Sequence, residues 1–240
     1  MMNFIIDQGN TFSKLALFEK DKLLFSETVK EINHEIINKF ISDKPIKRAI
    51  ISSVRERLEE NVLKKYNLIR LTYLTPLPLQ IKYKTPETLG VDRIAASVGA
   101  HIGCRNTNLL IIDIGTCVTF DFVNSKNEYL GGAIAPGFEM RFKALNYFTG
   151  KLPLVGFNKK QLKLIGDTTE SSIISGVYNG MKNEIEGVIN NYTAQYEALK
   201  IVVTGGDTNL FDLEPKNRIF ADEFLVLKGL NEILKYNEEE

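Results

Sequence analysis

The chain has 240 residues, 44% of them hydrophobic, enough to bury a real core in one large domain or two small ones. Thirty basic residues balance thirty acidic ones, which leaves no global field to favour nucleic acid or an anionic membrane. The apolar stretches are strand-length, no signal peptide or transmembrane span stands out, and Cys104 and Cys117 match no zinc spacing, so a cytoplasmic protein is expected.

The opening, Asn3 to Phe18, reads as a strand, a tight polar turn and a second strand. Phe4, Ile5 and Ile6 run into Asp7-Gln8-Gly9-Asn10-Thr11 before Leu15, Leu17 and Phe18 resume the apolar pattern. A third strand over Lys22 to Val29 would complete a meander. Lys47 to Ser52 reads as a buried strand, followed by a helix with Leu58, Val62 and Tyr66 on one face. Prolines 76, 78 and 86 predict loop or edge structure up to Gly90. The stripe of Val91, Ile94, Ala95, Val98 and Ile102 then predicts a helix. Its His101 forms H-x-x-C with Cys104, but a metal would need two further ligands; His101 and His34 are expected to be packing residues.

From Leu109 the chain begins again. Leu109 to Ile112 is an apolar strand ending in Asp113-Ile114-Gly115-Thr116, and Thr119 to Val123 is a second strand. Asp7-x-Gly-x-Thr and Asp113-x-Gly-Thr thus occupy equivalent strand-to-strand turns, which suggests two copies of one supersecondary unit. Gly131-Gly132-Ala133-Ile134 reads as a strand start, and the run to Gly137 as either a tight turn or a ligand-lining loop. A long helix is expected over Thr169 to Tyr192, with Gly176 and Gly180 permitting close helix approach. A strand over Lys200 to Val203 ends in Thr204-Gly205-Gly206-Asp207, and a helix from about Asp222 to Tyr236 closes the chain. Two domains are expected, 1–108 and 109–240, packed around a cleft.

An aspartate ending a buried strand, followed by glycine and a hydroxyl residue, suits phosphate and metal. Glycine admits an oxyanion to the backbone amides, and the carboxylate offers a hard cation its preferred oxygen. One such turn can equally be a plain hairpin; two of them, with a downstream Thr-Gly-Gly, favour the phosphate reading. There is no Walker A sequence, so such a site must use hairpin turns. Lys14 could add a point charge or be a solvated strand residue. In Gly90-Val91-Asp92-Arg93 the first turn of a helix favours an acidic residue. It would also place Asp92 to take a hydroxyl proton, with the forked donors of Arg93 for a carboxylate or phosphate.

Taken in order, Asp7 to Thr11, Gly90 to Arg93, Asp113 to Thr116, Gly131 to Gly137, Thr169 to Gly176 and Thr204 to Gly206 resemble the motifs of type III pantothenate kinases nearly end to end. The resemblance implies an α/β fold of two actin-like (ribonuclease H-like) domains with mixed sheets around an ATP cleft, in a homodimer. It implies transfer of the γ-phosphoryl group of ATP to pantothenate, with Asp92 as general base. Asp7, Gln8, Gly9, Asn10, Thr11, Phe12, Ser13 and Lys14 would form the first phosphate loop, with Asp7 near magnesium. Asp113 would hold a monovalent cation, potassium or ammonium, and Thr116 would contact ATP. Thr204, Gly205 and Gly206 match the adenosine motif. Tyr83, Gly90, Val91, Asp92 and Arg93 would line the pantothenate pocket, joined by Thr169 across the dimer interface. Cys117 and Val118 stand where the family usually has a small residue and threonine. The competing readings are a related phosphotransferase with another acceptor, or a non-enzymatic nucleotide-binding regulator.

Overall fold

The computed structural model describes residues 1–42, 44–55, 68–211 and 219–238. In chain order the elements are β1 (Met2–Gln8), β2 (Ser13–Glu19), β3 (Lys22–Val29), α1 (His34–Ile41), β4 (Ile46–Ser53), β5 (Leu68–Arg70), β6 (Gln80–Ile81), α2 (Val91–Ile102), β7 (Leu109–Ile114) and β8 (Cys117–Val123). They continue with β9 (Glu128–Pro136), α3 (Phe138–Tyr147), α4 (Thr169–Gln195), β10 (Lys200–Thr204), β11 (Ile219–Ala221) and α5 (Leu225–Tyr236). The expected helix around Leu58, Val62 and Tyr66 lies outside the described residues. None of the described helices is long and apolar enough to cross a membrane.

The chain forms two compact units that are not contiguous halves. The first is Met1–Ile111, Asp121–Gly131 and Phe224–Glu240; the second is Ile112–Phe120 and Gly132–Glu223. The strands form two mixed sheets, ordered β3-β2-β1-β4-β5 and β11-β10-β7-β8-β9-β6. Omitting the edge strand β6, the second order reproduces the first, with β7, β8 and β9 standing for β1, β2 and β3, and β10 and β11 for β4 and β5. In both, the two outer strands on the crossover side pair in parallel. The repeated Asp-x-Gly turns therefore sit at topologically equivalent ends of β1 and β7.

The apolar run of β1 is continuous because both faces of its sheet are covered. Phe4 and Ile6 pack with Leu15, Leu17, Ala49 and Ile51 against Ile37 and Ile41 of α1. Ile5, Ala16 and Ile50 are also sealed from solvent, and α5 packs against β1, β2 and β4. The packing of α5 on α2 requires glycine. A Cβ on Gly229 would strike the Ala95 carbonyl oxygen, and one on Gly99 would strike that of Leu225.

One expectation changes in the structure. Gly131 to Pro136 is neither a strand start nor a turn but the later part of β9, whose Gly131 takes a φ of 113°. Only Gly137 breaks the run, as the N-cap residue of α3. The proline-rich segment does contain an edge strand, because β6 finds a parallel partner in Glu128 and Tyr129 of β9.

His101, in the last turn of α2, is buried, and its Nδ1 has no hydrogen-bond partner among the described residues. Burial first, and the Arg105 charge second, lower its pKa below the ordinary 6.5, while Glu232 pulls the other way. The unfolded chain therefore binds the proton more readily than the folded one. The contribution of the neutral imidazole is complete above pH 6.5 and is lost as pH falls through the lowered folded value. Urea unfolding at pH 7.5 and pH 5 should show a larger loss of stability for the wild type than for His101→Gln; parallel losses would rule this residue out.

Candidate active site

The first loop is a hairpin closed by Gly9 N donating to Phe12 O at 3.1 Å. Asp7 ends the apolar part of β1, opposite Lys14 on β2 and Ser52 on β4. The Gln8 side chain is committed to the protein: Ser53 Oγ donates to its Oε1 at 2.7 Å, and Val54 N donates to its carbonyl at 3.1 Å. Arg55 donates to the Asn10 carbonyl. Asn10, Thr11 and Phe12 are exposed at the tip. The hydroxyls of Ser13 and Ser52, on the strands that flank Asp7, are fully buried with no hydrogen-bond partner among the described residues. Orphaned donors beside a half-buried carboxylate fit a site that receives phosphate oxygens or cation-bound water.

At the start of α2, Gly90 is an N-cap residue with no side chain to cap the helix. The Asp92 carboxylate does that work, its Oδ1 accepting from Arg93 N at 2.9 Å. A Cβ on Gly90 would crowd that same oxygen, so glycine is what leaves the carboxylate its place. Val91 and Asp92 are half-buried, whereas Arg93 is 7% exposed.

One edge of the Arg93 fork is taken inside the protein, which uses two of its five N–H donors. Nε and Nη2 both donate to Oδ1 of the fully buried Asp121, at 2.9 and 2.7 Å. Tyr129 Oη donates to the same oxygen at 2.6 Å. Burial, the largest single influence, would weaken the guanidinium charge, but the hydrogen bond and the charge of Asp121, with Tyr129 and Tyr83, together outweigh it and the pKa of Arg93 is raised. Burial, then the Asp121 charge, push the Tyr129 phenol far above its usual value, so it remains a donor. The Tyr83 ring lies 6.2 Å from that of Tyr129 and against Gly131, where a Cβ would come within 3.1 Å of it. Tyr83, Asp92 and Arg93 thus belong to one unit, with Asp121 and Tyr129 as members that motif spacing did not reveal.

In the second unit three segments converge on the end of β7. Gly115 N donates to Cys117 O at 3.0 Å. A Cβ on Gly137 would meet the carbonyls of Gly115 and Thr116, and one on Gly205, at φ 102°, would meet the backbone of Ile114. Asp207 N donates to Ile114 O at 3.0 Å, which ties the Thr204-Gly205-Gly206 loop to the second Asp-x-Gly turn. Thr208 Oγ1 holds that loop by donating to the carbonyls of Thr204 and Gly205. Thr204 is buried, Thr116 and Gly206 are exposed, and Asp113 is half-buried. The Asp207 carboxyl, given no role by the sequence, has its pKa raised by burial and by the nearby Glu139. Cys117 Sγ lies 3.9 Å from Met140 Sδ.

Thr169 is the first residue of α4, just after Thr168, which caps the helix in a reciprocal box with Ser171. It is exposed, and with Arg141, Phe148 and Ile173 it lines a groove of about 1150 Å³ between α3 and α4. Arg141 Nη2 donates to Glu184 Oε2 at 2.7 Å across those helices.

Duplicated sheets with polar turns at equivalent strand ends define an actin-like α/β phosphotransferase fold. A ROK family glucokinase from Streptomyces griseus, solved with glucose and AMPPNP, superimposes with a TM-score of 0.57 at 9% identity, covering 100% of both chains. A Campylobacter jejuni protein described as a Baf family transcriptional activator gives a TM-score of 0.58 at 22% identity, covering 98% of each chain. At those identities the likeness concerns the fold alone. The profile of the type III pantothenate kinase family matches residues 3–191. The type III pantothenate kinase of Phocaeicola vulgatus is 46% identical over 99% of both chains, and that of Christiangramia forsetii 45% over 98% of this chain and 99% of its own. The chain belongs to the type III pantothenate kinase family.

Proposed function

We propose that this chain transfers the γ-phosphoryl group of ATP to the terminal hydroxyl of pantothenate, giving 4'-phosphopantothenate and ADP in the first step towards coenzyme A. The observation that carries it is the Gly90–Arg93 turn, where glycine leaves room for a half-buried carboxylate in the same unit as Tyr83 and Arg93. Asp92 takes the hydroxyl proton as the oxygen attacks the γ-phosphorus. The new O–P bond forms, the bond to the β–γ bridging oxygen breaks, and ADP leaves with that electron pair.

The loop from Asp7 to Lys14 supplies amides, hydroxyls and a lysine to the phosphates. Thr116 and the Thr204-Gly205-Gly206 backbone serve ATP in the second unit. A divalent cation, magnesium in this reading, neutralises charge on the phosphates when bound, and Asp7 is the carboxylate assigned to it. The oxygen-rich turn at Asp113 suits a monovalent cation, potassium or ammonium. The same turn is tied to the adenosine loop by Asp207 N, which donates to the Ile114 carbonyl.

The groove between α3 and α4 supports a homodimer. Tyr147, Phe148, Leu164 and Ile165 are each at least 80% exposed, far more apolar surface than a solvated helix pair needs. Cβ atoms on Gly176 and Gly180 would meet nothing within 4 Å, which leaves that face of α4 open to a second copy. Thr169, on the same groove, would then serve the partner's pantothenate. Light scattering should give a dimer for the wild type and a monomer with impaired pantothenate saturation for Phe148→Glu; an active wild-type monomer would contradict it.

The reaction itself is tested by ADP release with magnesium, ATP and pantothenate, with and without potassium or ammonium. Turnover that needs both pantothenate and the cation supports the whole assignment. ATP binding without pantothenate-dependent turnover would point to another acceptor.

A further inference from the structure

Building on the reading that Arg93 meets pantothenate, we infer that Asp121 and Tyr129 are positioning residues that set the direction in which Arg93 presents its one uncommitted nitrogen to that substrate. A guanidinium offers five N–H donors along rigid edges, and it binds a carboxylate or hydroxyl well only if the correct edge faces the ligand. Here the edge formed by Nε and Nη2 is wholly taken by one oxygen of Asp121, and Nη1 makes no hydrogen bond among the described residues. Asp121 is fully buried, so neither oxygen can relax into solvent. Tyr129 adds a restraint on the carboxylate's rotation by donating to the same Oδ1 at 2.6 Å.

Three donors on one oxygen is an arrangement with little freedom, and a shift of the carboxylate turns the guanidinium with it. The same tyrosine ring stands beside Tyr83, whose face rests on Gly131. Tyr129 therefore links two of the side chains assigned to the proposed pocket, Tyr83 and Arg93. It does so from full burial, without itself being able to touch substrate. The effect expected of such a group is on pantothenate recognition, with nucleotide binding and proton transfer left to other residues.

Tyr129→Phe deletes only the third donor and keeps the ring. It should raise the KM for pantothenate about three- to tenfold while kcat and the KM for ATP stay within about twofold, as expected when a positioned contact is loosened. Asp121→Asn, which keeps an acceptor but removes the charge, should raise it further. Arg93→Ala should raise it at least as much as either, and adding Tyr129→Phe to Arg93→Ala should cost nothing more, because the tyrosine acts only through the arginine. Circular dichroism and thermal melts of each variant accompany the kinetics.

If Arg93→Ala leaves the pantothenate KM unchanged, the contact between Arg93 and substrate is wrong and the inference falls with it. If Arg93→Ala raises that KM but Tyr129→Phe does not, or if the two effects add, the contact stands and the positioning role is overturned. Equal rises in both KM values together with a lower melting temperature would show Tyr129 to be structural only. A wild-type enzyme without pantothenate turnover would remove the parent reading before any variant is compared.

Discussion

Asp92→Asn is expected to lower pantothenate-dependent kcat by about 10²- to 10⁴-fold while ATP binding is preserved, the usual scale for removing a general base. The substitution is nearly isosteric, and the amide oxygen can still accept from Arg93 N as Asp92 Oδ1 does at 2.9 Å, so the first turn of α2 should survive. What disappears is the group able to take the hydroxyl proton. The measurement is ADP release beside nucleotide titration by calorimetry, since a loss of fold would abolish both and a loss of the base only the first. Full turnover in this variant would remove Asp92 from the mechanism.

Gly229→Ala is expected to destabilise the first unit, opposite to what helix propensity alone predicts. Alanine in a helix interior is favoured over glycine by about 1 kcal/mol. At Gly229, however, the new methyl would lie on the carbonyl oxygen of Ala95 in α2, an atom of backbone that cannot swing aside. Separating two packed helices costs typically about 1–3 kcal/mol, which exceeds the propensity gain. Denaturant unfolding should show a lower midpoint with an unchanged slope; a midpoint equal to or above the wild type would mean that α2 and α5 are less closely packed than described. Because α2 also carries Asp92, a shifted helix should reduce kcat as well, without direct contact with the chemistry.

Some of this architecture is legible in local pattern. The apolar runs of β1, β2, β3 and β4, the helical stripe of α2 and the long periodic face of α4 all declare themselves within a dozen residues, because burial and backbone period act at that range. The duplicated Asp-x-Gly turns are legible for the same reason. Shorter elements are not: β5, with three residues, and β6, with two, exist only because a neighbouring strand satisfies their hydrogen bonds. The glycines of Gly131–Gly137 mislead in the opposite direction. Their density suggests a turn, yet pairing carries them through β9 until Gly137 ends it.

The candidate site divides along the same line. The sequence by itself determined the loop at Asp7, the turn at Asp113 and the helix start that carries Asp92, since each is a contiguous set of residues whose chemistry follows from its own backbone. Only the tertiary structure decided that Gly205 and Asp207 close on Ile114, that the terminal helix joins the first unit, and that Arg93 turns its Nε–Nη2 edge to Asp121, 28 residues away in the chain. A turn is written in neighbouring residues. The partner of a buried charge depends on which distant segment the completed fold brings beside it, and no local period records that choice.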